Sequence, residues 1–583
     1  MEIKKKIHAV LATGLAAAMM VSLAACGGDD TASDKDDGSL MTVDVFSSTA
    51  NIQGEQKGWF AKIIKDKFNI KLNLIAPNVA GGGDTLFNTR SANGDLGDLV
   101  IVSTGNGRLQ KLVKSGLIVD MTPYMKDAKN LKKFQGALDR VTKIAGKDGV
   151  WGAPSAVSTQ SPTEPSEGDE PGAAPYIRWD YYREIGYPEI KDLDSFIDVM
   201  KQMQDKARAD TGQNDIYALS LFKDWDGAMM QNAQAIASWL GYGSMNSVLT
   251  KADGSDDQSV IKEGGVYEEV LKFLNKAERA GLVDPESSTQ TWDNLSTKVT
   301  QGKVLVSLWS WLGQPRQNTA ANKEKGVGFM LAPLQSMQVY SDGFTPNGID
   351  PIIAVGSKAE NKQRLVNFID WLYSPEGVYA QASNAGGAIC PEKMCWDKTD
   401  DGNVVNEFGE KAMNEADGLK VSDEFGGGEY NAGTSTLNMK NVAQNDIDPN
   451  TNETYNSALW KSELAKSNNL RDDWSSHMDG AKNSIEYLQK TNKLLVAAGA
   501  SYTAPEESSQ ISTVRSQIQT EVVNASWQAV FAESDAKFNE ILKTMRDTVN
   551  GLGYEDILKV DTDNAKAQNK ARQEVIAEYA DKK

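Results

Sequence analysis

Residues 41–102 read MTVDVFSSTANIQGEQKGWFAKIIKDKFNIKLNLIAPNVAGGGDTLFNTRSANGDLGDLVIV. The first six alternate as a half-buried strand does, then give way to the polar loop SSTANIQGEQKG. A helix is predicted next, with Trp59, Phe60, Ile63, Ile64 and Phe68 sharing one face. IKLNLIAP alternates again and stops at Pro77; a Gly81-Gly82-Gly83-Asp84 turn then opens a second helix, which breaks at NGDLGD. Leu99-Val100-Ile101-Val102 is a short unbroken apolar run, the pattern of a buried parallel strand. Strand, helix, strand, helix, strand predicts a layered α/β lobe.

Upstream, Lys4, Lys5 and Lys6 precede an apolar run that ends in Leu23-Ala24-Ala25-Cys26. A charged head, a short apolar run and small residues before a break read as a secretory signal, residues 1–25, not a spanning helix. Ending at a cysteine, it resembles a bacterial lipoprotein signal, in which the matching residue, Cys26, takes a diacylglyceryl group. Two acyl chains hold a protein at a bilayer where one gives only marginal attachment. Residues 26–39 are almost free of apolar side chains and read as a solvated tether. No later stretch approaches the ~20 apolar residues that a span requires, so the body is expected to be soluble.

A chain of 583 residues exceeds one ordinary domain, and at least two lobes are expected. The net charge of −19 becomes −21 once the signal's three lysines and one glutamate are removed. Such a body repels nucleic acid and anionic headgroups; no nucleic-acid partner is expected, and the membrane is met through the anchor alone. Cys390 and Cys395, spaced C-x4-C around Pro391, could close a small disulfide loop outside the cell and make a poor zinc site. His477 is the single histidine past the signal, which argues against a histidine triad or a multi-histidine metal centre. Carboxylate chemistry stays open.

Downstream, VWGAP at 150–154 reads as a crossing strand and residues 155–175, rich in Pro, Ser, Glu and Gly, as a flexible acidic loop. Ser195 with Asp198 fits a capping box for a helix through Phe196, Val199, Met200 and Met203. A helix is predicted near 266–280 and another over 363–373, where Trp371 reads as core; strands are predicted at 303–309, 327–333 and 349–356. From about 457 the pattern is mostly helical.

Taken in order, several segments resemble the extracellular solute-binding proteins of carbohydrate ABC importers, particularly their large lipoprotein branch. They are GDLGDLVIVSTGNGRLQKLVKSGLIVDMTPYM, AGKDGVWGAPS, YIRWDYYREIGYPEIKDLDSFIDVMKQMQ, EEVLKFLNKAERAGLVDPESSTQTWDNLSTKVTQGKVLVSLWSW, SKAENKQRLVNFIDWLYSPEG and the run from Glu521 to Leu558. Residues 155–175 are longer than the family's usual link, and 386–455 match nothing in it. The resemblance implies an α/β, two-lobed, periplasmic-binding-protein-like fold with a hinge and a ligand cleft between lobes. Lobe 1 would be 40–150 plus 341–400, lobe 2 151–340 plus 401–583. It also implies a non-enzymatic, monomeric protein that captures a sugar and delivers it to permease subunits, with no cofactor.

A sugar offers a hydroxyl rim and C–H ring faces, so its site combines flat aromatics with polar groups. Sites in α/β sheets form beyond the carboxyl ends of strands. That rule selects Ser48 and Asn51 after the first strand, Thr104 and Asn106 after 99–102, Trp309 and Trp311 after 303–309, and Asn347 and Asp350 before 349–356. Trp225 and Asp226 follow the apolar stretch 216–222. Each has a structural alternative: the tryptophans as core, Ser48 and Asn51 as helix caps, and Arg178 with Asp180 as an ion pair between lobes. Asp446, Asp448, Asn450 and Asn452 alternate as in a calcium loop, but Thr451 and Ser457 stand where glycine and glutamate belong, favouring an acidic turn. Two rival functions are a secreted glycan-degrading enzyme using paired carboxylates and a peptide-binding or sensor lipoprotein.

Overall fold

The run Leu99–Val102 is buried at every residue because it lies inside a sheet covered on both faces. The computed structural model describes residues 36–50, 52–77, 79, 83–381, 389–414, 416 and 418–580. The signal segment, Cys26, the tether to residue 35, Asn51, Gly81 and Gly82 lie outside the described residues. Six strands line up as Gly54–Glu55, Ile70–Ile75, Met41–Ser47, Leu99–Val102, Ile349–Val355 and Ala153–Ser155. Met41–Ser47 runs parallel to both neighbours, and Ile349–Val355 runs antiparallel to both of its own. Successive strand residues project to opposite faces. Val100 and Val102 therefore pack with Phe46, Ile352 and Ala354 on one side, while Leu99 and Ile101 pack with Val43, Val45 and Ile353 on the other. Each such aliphatic side chain contributes about 1.5–3 kcal/mol by leaving water.

The flanking helix Gly58–Phe68 buries Trp59, Phe60 and Ile64, the stripe expected from their spacing. It stops at Asn69, whose left-handed backbone (φ 50°) turns its N–H back onto the Lys65 carbonyl at 2.8 Å.

A second sheet is built from Val306–Trp309, Ala173–Arg178 and Phe329–Leu331, antiparallel throughout. Parallel bridges from Tyr217 to Val304 and from Leu219 to Val283 extend it. Its core runs from Ala174 to Val339 and is completed by Leu470, Trp474, Trp527, Phe538 and Ile557 from the last third of the chain.

Four expectations need correction. Residues 401–460, assigned above to lobe 2, pack on the first body: Val405, Tyr430, Leu437, Tyr455 and Trp460 are in its core. The reason lies in ring contacts that sequence spacing cannot show, such as Trp59 on Tyr430 at 6.0 Å and Trp396 on Trp460 at 5.3 Å. Residues 155–175 are ordered. Their backbone and polar groups bond to distant segments: Ala156 N to Lys440 O at 2.6 Å, Thr159 N to Asp446 at 2.7 Å, Ser166 N to Asp342 O at 2.8 Å. A segment held by far partners carries no local periodicity. The helix Leu193–Thr211 is capped by Asp192, which accepts from Ser195 N at 2.8 Å while the Ser195 hydroxyl oxygen accepts from Asp192 N at 3.0 Å. Finally, Arg178 and Asp180 form a buried bidentate pair at 2.9 and 2.6 Å, two residues apart and wholly within the second body.

Cys390 and Cys395 are joined in a disulfide with Cα atoms 5.5 Å apart. In the calcium-like loop, Asp446 is occupied by Thr159 and Gln160, and Ile447–Asp448 pairs with Glu453–Thr454 as a small hairpin. Among the described residues, no group of three or more His, Cys, Asp or Glu side chains is arranged to hold a metal ion, and no helix is long and apolar enough to cross a membrane.

Candidate functional site

In the second body three strand ends converge. The stretch through Leu219 leads to Trp225, the bridge at Val283 leads to Trp292, and Val306–Trp309 leads into the helix Ser310–Gln317 carrying Trp311. The rings pack as one surface. Trp225 stacks on Trp292 at 4.7 Å and lies 5.7 Å from Trp311; Trp311 sits 5.2 Å from Trp309, and Phe222 backs the group at 5.0 Å from Trp225. Trp309 is only 5% exposed and is the support, whereas Trp225 at 45% and Trp311 at 41% present their faces to solvent. The Arg316 guanidinium covers Trp292 at 5.5 Å. Asp226, expected at the rim, accepts from Trp527 Nε1 at 2.6 Å and Gln231 N at 2.8 Å. It anchors the Trp225 loop to the helix Ser509–Val530 instead of facing outward.

The first body supplies polar groups at the carboxyl edge of its sheet. Asp350 accepts from Ser103 Oγ at 2.6 Å, Thr104 N at 2.9 Å and Thr104 Oγ1 at 2.8 Å. Thr104 and Asp350 are thus brought together, as a junction between the strands at 99–102 and 349–355. Arg140 lies 3.9 Å from that carboxylate; burial lowers its pKa, against the pull of Asp350, and its two terminal nitrogens make no hydrogen bond. Asn106 adopts a left-handed turn (φ 54°) with its side chain exposed. Ser48 Oγ donates to Ile101 O at 3.3 Å, and the helix that follows has Lys57 at its N-cap position with no side-chain cap, so Ser48 is not its cap. Asn347 Nδ2 donates to Glu578 of the C-terminal helix at 3.3 Å. Thr104 also lines a cavity of about 250 Å3 with Gln110, Lys143 and residues 503–506, where Lys111 pairs with Glu506 at 3.0 Å.

Two features escaped the sequence. Trp292 was findable by the same strand-end rule, since it follows the Gly-Leu-Val-Asp-Pro turn; its distance of nine residues from Val283 hid it. The other is a cluster of carboxylates in the crossing segment, beside the Trp311 helix. Glu167 accepts from Gly172 N at 2.8 Å, and Gly172 O accepts from Ser310 N at 3.3 Å. Burial pushes the Glu167 carboxyl up to about 7, and burial with the neighbouring Asp169 charge pushes Glu170 up to about 8.

Two bodies, each with its own sheet and core, carry these groups at their strand ends. Residues 59–395 match the family model described as bacterial extracellular solute-binding protein. The chain belongs to that family. This solute-binding protein is similar to Lipoprotein LipO of Bacillus subtilis, 22% identical over half of this chain, and it spans 56% of that relative's length. Among solved structures it is similar to the S. pneumoniae ABC-transporter substrate-binding protein FusA in complex with kestose: 13% identity, 91% of this chain, 100% of that one, TM-score 0.57. An HMO-binding, ABC-transporter-associated solute-binding protein of Bifidobacterium longum infantis gives 16%, 90%, 98% and 0.53. Such likenesses establish a periplasmic-binding-protein-like fold for the solute-binding protein.

Proposed function

We propose that this solute-binding protein captures an oligosaccharide in the cleft between its bodies, without altering it, and passes it to the permease subunits of an ABC importer while Cys26 holds it at the membrane. One observation carries the reading. Among the described residues, two of the eight exposed large apolar side chains, Trp225 and Trp311, belong to one packed indole surface beyond the strand ends of the second sheet. Exposed apolar surface gathered in one patch marks a binding site, and indole faces suit the C–H ring faces of a sugar. The FusA–kestose and HMO-binding relatives support a carbohydrate, and the LipO relative supports the lipid anchor.

The test is a thermal-shift panel of maltotriose, cellotriose, laminaritriose, xylotriose and kestose, each then incubated overnight and analysed for products. At 100 times its dissociation constant a bound glycan adds about 2.7 kcal/mol of stability. A melting shift with the glycan recovered intact is the expected result. No shift across the panel, or a shortened product, overturns the proposal.

A further inference from the structure

One ion pair joins the two bodies outside the segments by which the chain crosses between them. Lys111 Nζ donates to Glu506 at 3.0 Å, across 395 residues of chain. Each partner is fixed to its own body. Lys111 stands on the helix Arg108–Lys114, whose Leu109, Leu112 and Val113 are buried in the cluster that holds Val100 and Val102 of the first sheet. Glu506 lies between the strand Leu494–Ala497 and the helix Ser509–Val530. That stretch is tied into the second body on both sides of Glu506. Tyr502 donates to Asn564 of the C-terminal helix at 2.8 Å, and Arg515 donates to Glu507 at 2.6 Å. Arg515 donates as well to Asp561 at 2.8 Å, a fully buried carboxylate that also accepts from Ser247 N at 3.0 Å.

The contact borders the cavity of about 250 Å3, which Thr104, Gln110 and Lys143 line from the first body and residues 503–506 from the second. A methyl group at Gly107 would stand 3.3 Å from Glu506 Oε2, so the carboxylate rests against bare backbone at the start of the Lys111 helix. Rotation of one body against the other about the crossing segments draws these two walls apart, and the pair with them. Both side chains are well exposed, 66% and 57%, so water competes for each charge and the pair is weak. Weakness suits a contact that breaks and re-forms. Resting on the capture reading above, we propose that Lys111 and Glu506 form a reversible latch, made when the bodies shut and broken when they part, which raises ligand affinity by favouring the shut state. A solute that binds only between shut bodies has its affinity scaled by the fraction of molecules in that state. The latch therefore acts on affinity without touching the solute.

The experiment compares the wild type with Lys111→Glu, Glu506→Lys and the double reversal. Pulsed electron resonance reads the distance between nitroxides at Lys133→Cys and Lys543→Cys, exposed positions on the first and second bodies, in the chain carrying Cys26→Ser. Calorimetry reads the affinity for whichever trisaccharide of the panel binds. Each single reversal sets like charges against each other, so the distance in the free protein should lengthen and the affinity fall about 3- to 10-fold. The double reversal restores the attraction with the charges exchanged. It should return both quantities to their wild-type values, which a variant damaged in folding would not do. Unchanged distances, affinities within twofold of wild type in both single reversals, or a double reversal that fails to restore them overturn the latch and leave the carbohydrate reading standing. If no glycan binds the wild type, the carbohydrate reading falls, and the distances alone decide the latch.

Discussion

Trp311→Ala is the most direct perturbation of the indole surface. Trp311 is 41% exposed in the free protein, which for a side chain of about 250 Å2 leaves about 100 Å2 for a ligand to cover. Covering all of it, at about 25 cal/mol per Å2, contributes about 2.5 kcal/mol, or roughly 70-fold in affinity. A sugar ring covers it incompletely and surrenders some hydration, so the expected loss is about 10- to 70-fold. The inner face of the ring also packs on Trp309 and Trp292, at 5.2 and 5.3 Å. The variant should therefore lose about 1–2 kcal/mol of stability by the worth of such aromatic pairs. Calorimetric titration of the glycan, together with urea denaturation of the free variant, separates the two effects. Affinity within twofold of wild type in a folded variant would refute the idea that this surface touches ligand.

Stability should fall as pH rises from 6 to 8.5. Burial raises the carboxyls of Glu167 and Glu170 to about 7 and about 8, so the folded state holds their protons more tightly than the unfolded chain does. Their contribution is complete below the ordinary glutamate value and is lost as pH passes through 7 to 8. Melting temperatures of the wild type and of Glu167→Gln/Glu170→Gln across this range check it, and the double variant should lose most of the slope. Asp350→Ala strips partners from Ser103 and Thr104 and leaves Arg140 buried without its counter-charge, for an expected loss of about 2–4 kcal/mol in urea denaturation. Replacing Cys390 and Cys395 by serine opens a loop of only a few residues and should cost about 2 kcal/mol, read in the same assay.

The readings that succeeded rest on patterns a few residues long. Leu99–Val102 announces two-sided burial because four consecutive apolar residues suit only a strand with no wet face, and Trp371 announces core because its neighbours repeat at helical spacing. Trp225 and Trp311 stand at strand ends by the same kind of local pattern, since each follows a recognisable apolar run. Asp226 shows the limit of that rule. Its position in the loop was correct, yet Trp527, 301 residues away, claims the carboxylate.

The order of strands and helices, the apolar stripes that bury them and the tryptophans at their ends were settled by the chain's own local chemistry, since periodicity and turn residues act over a few positions. Which of those ends meet was settled by the tertiary structure. Trp292 joins Trp225, and residues 401–460 return to the first body. Each depends on packing between segments far apart in the chain, where the free energy comes from contacts that no local pattern encodes.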